Sequence, residues 1–158
     1  MNKILILVSA LLLFWSNAFS QSSVITEDDA IAKLEEFFYL LDVNRYEKEV
    51  FSRVITKDFQ IFEDGLDLDR ETFHDFISEA TGTIVETEWV LSNFKVTLNM
   101  DSAHITYYNN GVFKTKTNES IYSYWMESVY MVVENGELKL KFLQSDLINR
   151  EITEITHE

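Results

Sequence analysis

The spacing of apolar residues changes once along this chain, near Thr83. Before it, Ile31, Leu34, Phe37, Phe38 and Leu41 recur every three or four residues, the period of a helix face turned to a core. After it, Phe94, Val96 and Leu98, then Ala103, Ile105 and Tyr107, recur every second residue, the period of half-buried strands. Helices first and strands second predict an α+β domain, with helices packed on one face of a curved antiparallel sheet.

Local signals place the elements. Thr26 reads as an N-cap, and Glu27, Asp28 and Asp29 suit the positive end of the helix that follows. A second helical piece is expected over 45–54, with Tyr46, Val50, Phe51 and Val54 inward. Lys57 to Glu63 reads as a short strand closed by Asp64-Gly65. Asp69 caps a third helix carrying Phe73, Phe76 and Ile77, and Gly82 lies just past its end. Asn110-Gly111 is either a hairpin turn or a bulge in one long strand. Thr117-Asn118 turns the chain into a strand over 119–134. Asn135-Gly136 is the strongest hairpin signal, returning the chain over 137–148. The acidic segment 151–158 is expected to fray.

The first twenty residues read as a signal peptide. Lys3 is a basic start, Ile4 to Trp15 is apolar, and Ala18 and Ser20 offer small residues before a cut at Gln21. The apolar run is too short for a membrane span. The expectation is an exported protein, periplasmic or secreted, with one domain over 21–150 and no span after cleavage. Removing twenty of the 158 residues leaves 138, and losing Lys3 takes the net charge from −14 to −15. That charge argues against a nucleic-acid partner, which needs clustered Lys and Arg. The chain has no cysteine, which excludes disulfides, thiolate metal sites and a cysteine nucleophile. With 46% hydrophobic residues it can build its core unaided and is not a disordered chain.

A two-residue loop at Asn135-Gly136 sets a register by counting outward. Met131 then faces Leu140, Val129 faces Phe142, Glu127 faces Gln144, and Trp125 faces Asp146. These side chains share one sheet face. Apolar walls ending in Trp125, Glu127, Gln144 and Asp146 read as a ligand pocket. A carboxylate there, Glu127 or Asp146, is desolvated and becomes a candidate acid or base. In the alternative, this end of the face leaves the core and its polar groups meet solvent. The opposite face, with Tyr124, Met126, Tyr130, Lys139, Lys141 and Leu143, suits a homodimer interface.

These features together resemble the nuclear transport factor 2-like superfamily, in its SnoaL-like and ketosteroid-isomerase-like bacterial branch. The carriers are the aromatic first helix ending in Leu41-Asp42, Asp58-Phe59-Gln60-Ile61-Phe62 before a glycine turn, and the helix after Asp69. Trp89 ahead of Phe94-Val96-Leu98, and Trp125-x-Glu127-Ser128 with Asn135-Gly136-x-Leu138-x-Leu140-x-Phe142, complete the pattern. The resemblance implies three helices wrapped by a strongly bent antiparallel sheet, a cone-shaped, cystatin-like roll with an internal cavity. It also implies dimers through the outer sheet face, and members that include isomerases, cyclases, dehydratases and non-catalytic binding proteins. Where related sequences often carry a pocket histidine this chain has Gln144, which cannot transfer a proton near neutral pH.

No metal or cofactor is expected. His74 and His104 lack a partner at metal-ligand spacing, and Asp64 to Asp69 lacks the order of a calcium loop. Asn118-Glu119-Ser120 is a glycosylation sequon, which matters only in a glycosylating host. Three functions follow. The first is a non-catalytic binding domain for a small apolar or amphipathic molecule, oriented by Trp125, Glu127, Gln144 and Asp146. The second is an isomerase, cyclase or dehydratase using Glu127 or Asp146, with Tyr39 or Tyr46 donating a hydrogen bond. The third is a structural dimeric envelope protein.

Overall fold

Thr26 starts the first helix through a reciprocal cap. Its Oγ1 accepts the Asp29 N–H at 3.1 Å, and the Asp29 carboxylate accepts the Thr26 N–H at 3.0 Å. Two donors that a helix start leaves open are thereby satisfied. The computed structural model describes residues 24–154. The expected signal peptide at 1–20 lies outside the described residues, as do the last four residues of the expected tail.

Helix α1 (Glu27–Leu41) buries Ala30, Leu34, Phe37 and Phe38. The expected second helix contracts to one turn, α2 (Lys48–Phe51). Asp42 is the reason: its Oδ1 accepts the Asn44 N–H at 2.8 Å, and its carbonyl accepts the N–H groups of Arg45 and Tyr46. That local turn competes with helix over 43–46. Strand β1 (Ile55–Glu63) then turns at Asp64 and Gly65, both in the left-handed region, into β2 (Leu66–Asp69). The sequence reading placed only a turn and a cap here. β2 is four mostly exposed residues, Leu66-Asp67-Leu68-Asp69, whose alternation is too short to stand out between the turn and the helix cap. Asp69 caps α3 (Arg70–Thr81) by accepting the Thr72 N–H at 2.9 Å.

Four long strands follow: β3 (Ile84–Leu98), β4 (Ser102–Thr115), β5 (Glu119–Glu134) and β6 (Glu137–Glu154). The sheet order is β2-β1-β6-β5-β4-β3. Every neighbouring pair is antiparallel except β1 and β6, which run parallel, so the expectation of a wholly antiparallel sheet is corrected. The architecture of the described residues is α+β, a six-stranded curled sheet with three helices. Asn110-Gly111 is neither a turn nor a bulge, because β4 pairs without interruption through Gly111 with both neighbours. The acidic tail does not fray where it is described. Residues 151–154 continue β6 and pair with the start of β5, down to Glu154 opposite Glu119.

Register shifts bend the sheet. β6 carries one extra residue at Lys141 and another at Ile148, and β3 carries one near Asn93, whose φ is +57°. Such bulges kink a strand and increase its twist. The concave face closes on α1 and α3. Phe37 sits at the centre of that core, edge-on to Phe38 and near Phe51, Phe59 and Phe73. No described helix is long and apolar enough to cross a membrane.

Candidate functional site

Beyond the packed core, the concave face leaves a cavity of about 350 Å³. Its walls come from α1 (Phe37, Phe38), α3 (Phe73, Ile77), β3 (Thr87, Trp89), β4 (Asn109, Phe113), β5 (Trp125, Glu127) and β6 (Leu143, Arg150). Ile152 and Phe76, which also line it, are 60% and 40% exposed and mark its mouth. Gly111 makes room for the aromatic wall. A Cβ there would lie 2.9 Å from both Phe113 Cζ and Trp125 Cζ3.

Glu127 is the most deeply placed ionisable group of this wall, at 7% exposure. Its Oε1 accepts the Ser145 hydroxyl at 2.9 Å and its Oε2 accepts the Asn109 amide at 3.2 Å. Burial pushes its carboxyl up to about 7. The nearby Tyr107 and Ser145 hydroxyls and the Asn109 amide oppose that rise, while the charge of Glu63 adds to it. Glu63, at the end of β1, is a second carboxylate on the same cavity. Burial raises it too, against the nearby Ser145 hydroxyl, and Asp64 adds to the rise. Tyr107 stands directly across the β4–β5 ladder from Glu127. Burial, then the Glu127 charge, holds its phenol well above its ordinary range. A carboxyl that titrates near neutrality inside an apolar wall can both take up and release a proton.

Several polar atoms on this wall are buried without a partner: Thr87 Oγ1, Trp89 Nε1, Trp125 Nε1 and Asn109 Oδ1. Buried polar groups are nearly always hydrogen-bonded, so these four mark places where a bound molecule would complete the set.

The sequence-derived residues divide. Trp125 and Glu127 come together in the cavity. Gln144 and Asp146 do not. The observed pairs are Val129 with Leu143, Glu127 with Ser145 and Trp125 with Leu147, each one residue further along β6 than counted. The extra residue at Lys141 causes this. β6 is shared with β1 as well as β5, and the Lys141 side chain reaches out to Asp58 of β1. From there the phase of β6 inverts. Leu143 and Ser145 turn inward, at 1% and 4% exposure. Phe142 goes outward against Phe62. Gln144 and Asp146 join Lys95, Tyr108 and Met126 along an outer groove. Leu143, expected on the dimer face, is therefore in the core.

Neither tyrosine lines the cavity. Tyr39 is an exposed residue of α1 with the Arg45 guanidinium 4.3 Å above its ring. The Tyr46 hydroxyl shares a hydrogen bond with Nδ1 of buried His74, whose Nε2 lies 3.1 Å from Ser52 Oγ. Burial lowers the His74 pKa and lifts that of Tyr46 to about 12, so this trio is a neutral structural link between α2 and α3. His104, as expected, faces away and shares a hydrogen bond with Ser128 at 2.8 Å. Among the described residues no group of three or more metal-ligating side chains forms.

No protein-family model matches the sequence, and no curated protein matches it. Solved structures do. A nuclear transport factor 2-like protein of unknown function from Pseudomonas aeruginosa superposes with a TM-score of 0.65, over 77% of this chain and 99% of that one, at 12% identity. The fold is the nuclear transport factor 2-like one. A hexachlorocyclohexane dehydrochlorinase, LinA-type3, from Novosphingobium barchaimii LL02 gives a TM-score of 0.66 at 12% identity, over 82% and 93% of the two chains. A protein assigned as a scytalone dehydratase from Novosphingobium aromaticivorans DSM 12444 gives 0.67 at 12% identity, over 82% and 88%. At such identities the likeness is one of fold, and function has to be argued from the site.

Glu63 and Asn109 were absent from the sequence-derived site, although their phase was readable. Glu63 follows Phe59 and Ile61, and Asn109 follows Ile105 and Tyr107, each at period two. Ser145 had no such signal, because its facing depends on the bulge at Lys141, and Arg150 lies past residue 148, where the last strand was expected to end.

Proposed function

We propose that this chain is a binding domain for a small, largely apolar molecule, held in the interior cavity with its polar end at Glu127. The observation that carries this reading is the pairing of an aromatic and aliphatic wall with four buried polar atoms lacking partners. Apolar enclosure with a few convergent polar groups is the usual make-up of a small-molecule site. A thermal-shift screen of small apolar and amphipathic compounds tests it. A ligand at a hundred times its Kd adds about 3 kcal/mol, several degrees in Tm for a domain of this size. Trp125→Ala should abolish that shift. A screen in which nothing raises Tm, or in which Trp125→Ala changes nothing, would overturn it.

A second reading is proton-transfer catalysis of the isomerase or dehydratase kind. It is favoured by the protonation of Glu127 near neutrality and by elimination enzymes among the proteins of like fold. In it Glu127 takes a proton from a carbon acid bound in the cavity. Deuterium exchange into bound carbon acids, followed by NMR and lost in Glu127→Gln, separates it from simple binding.

The same proposal holds that the chain is exported, which mass measurement of a mature chain beginning at Gln21 would check. It also holds that the outer sheet face self-associates, through exposed Tyr108, Met126 and Tyr130. Sedimentation of a Tyr130→Glu variant as a monomer, against a dimeric parent, checks that.

A further inference from the structure

The wall around Glu127 offers acceptors and π faces but little free positive charge. Asn109 directs its amide N–H at Glu127 Oε2, which leaves its own Oδ1 buried with no donor. Both carboxylates of the cavity, Glu127 and Glu63, accept hydrogen bonds when ionised and cannot donate them. Among the described residues, Arg150 is the one basic residue of the lining, and it is engaged at the rim. Its Nε donates to Ser123 Oγ at 3.2 Å, and its guanidinium lies 3.6 Å from Asp64.

Around these acceptors stand aromatic rings. Trp89 lies 5.1 Å from Phe38, 5.1 Å from Phe113 and 6.0 Å from Trp125, centroid to centroid. Indole faces attract cations most strongly of the aromatic side chains, and more so when water is excluded. Two further facts bear on ligand charge. An anion would have to sit beside two carboxylates, the buried Glu127 and the half-buried Glu63. A purely apolar molecule would leave Asn109 Oδ1 without a donor, which costs free energy. The chain's net charge of −14 also draws cations toward it.

We propose that the cavity selects a small organic cation. The ligand is a primary or secondary ammonium on an aromatic or branched apolar body. Its N–H groups lie on Glu127 and Asn109 Oδ1, and its body lies against Trp89 and Trp125. This rests on the ligand-binding reading of the same cavity and adds the chemical class of the ligand. The unpartnered indole N–H groups of Trp89 and Trp125 add a preference for a hydroxyl elsewhere on that body.

The test is calorimetric titration of the mature chain at pH 8 with three probes of similar shape: 2-phenylethylammonium, 2-phenylethanol and 3-phenylpropanoate. The cation should bind at least tenfold more tightly than the alcohol, and the propanoate should not bind. Glu127→Gln should erase most of that advantage. Asn109→Ala, which removes one acceptor and keeps the carboxylate, should reduce it part-way. Equal binding of cation and alcohol to the parent protein would overturn the cation inference and leave the cavity reading standing. Tighter binding of the propanoate would overturn it as well. Binding of none of the three, with no response in the broader thermal-shift screen, would remove the cavity reading itself.

Discussion

Replacing Glu127 by glutamine should make the protein more stable at alkaline pH. Each tenfold change in proton affinity is worth about 1.4 kcal/mol. A carboxyl held at about 7 rather than at its ordinary 4.5 therefore costs the folded state about 3 kcal/mol once it is ionised. The folded protein binds this proton more tightly than the unfolded chain does. The group's contribution is therefore fully present below pH 4.5 and is lost as the pH rises through about 7. Glutamine keeps the shape and the local bonding. Its carbonyl can accept the Asn109 amide, and its amide can donate to the Ser145 hydroxyl, which rotates to suit. Urea unfolding followed by tryptophan fluorescence should show the two proteins alike near pH 4.5. At pH 8 the variant should be more stable by up to about 3 kcal/mol. Glu63 is present in both, so its own titration cancels apart from its coupling to Glu127. A difference independent of pH, or a variant less stable at pH 8, would refute the desolvation argument.

Other perturbations separate the parts of the account. Phe37→Ala, in a core where four other phenylalanines surround a ring exposed by only 1%, should cost about 3–5 kcal/mol in chemical unfolding. Gly111→Ala places a methyl against Phe113 and Trp125, and should cost about 1–3 kcal/mol and shift the tryptophan emission. Ser145→Ala should raise the Glu127 pKa further, because it removes a hydrogen bond to the charged form, whereas Gln144→Ala should leave it unchanged; both are read by NMR titration. Tyr46→Phe leaves His74 Nδ1 buried and unpaired, costing about 1–3 kcal/mol without altering binding of any cavity ligand.

What the sequence made legible follows from how local each determinant is. The helix starts at Thr26 and Asp69 are set by a side chain and a backbone three residues away, and both were readable. The Asn135-Gly136 reversal was equally plain, since φ of +56° and +83° is what a type I′ loop demands of that pair. Counting outward from it is valid only while the ladder is regular. It failed one residue past Leu140, where β6 begins to serve two neighbours and takes up an extra residue. Trp125 and Glu127 survived because they lie on β5, the unbulged partner of that stretch. Gln144 and Asp146 were lost because they lie on the bulged strand. Tyr39 and Tyr46 illustrate another limit. Helical spacing says which residues share a face, and says nothing of which cavity a tyrosine reaches.

Everything assigned to the cavity depends on Glu127 being held in a dry wall between Asn109 and Ser145. The most direct measurement is the titration of its side-chain carboxyl carbon by ¹³C NMR, assigned by comparison with Glu127→Gln. The account predicts a midpoint of about 7. A midpoint at the ordinary glutamate value would place that side chain in water and contradict it.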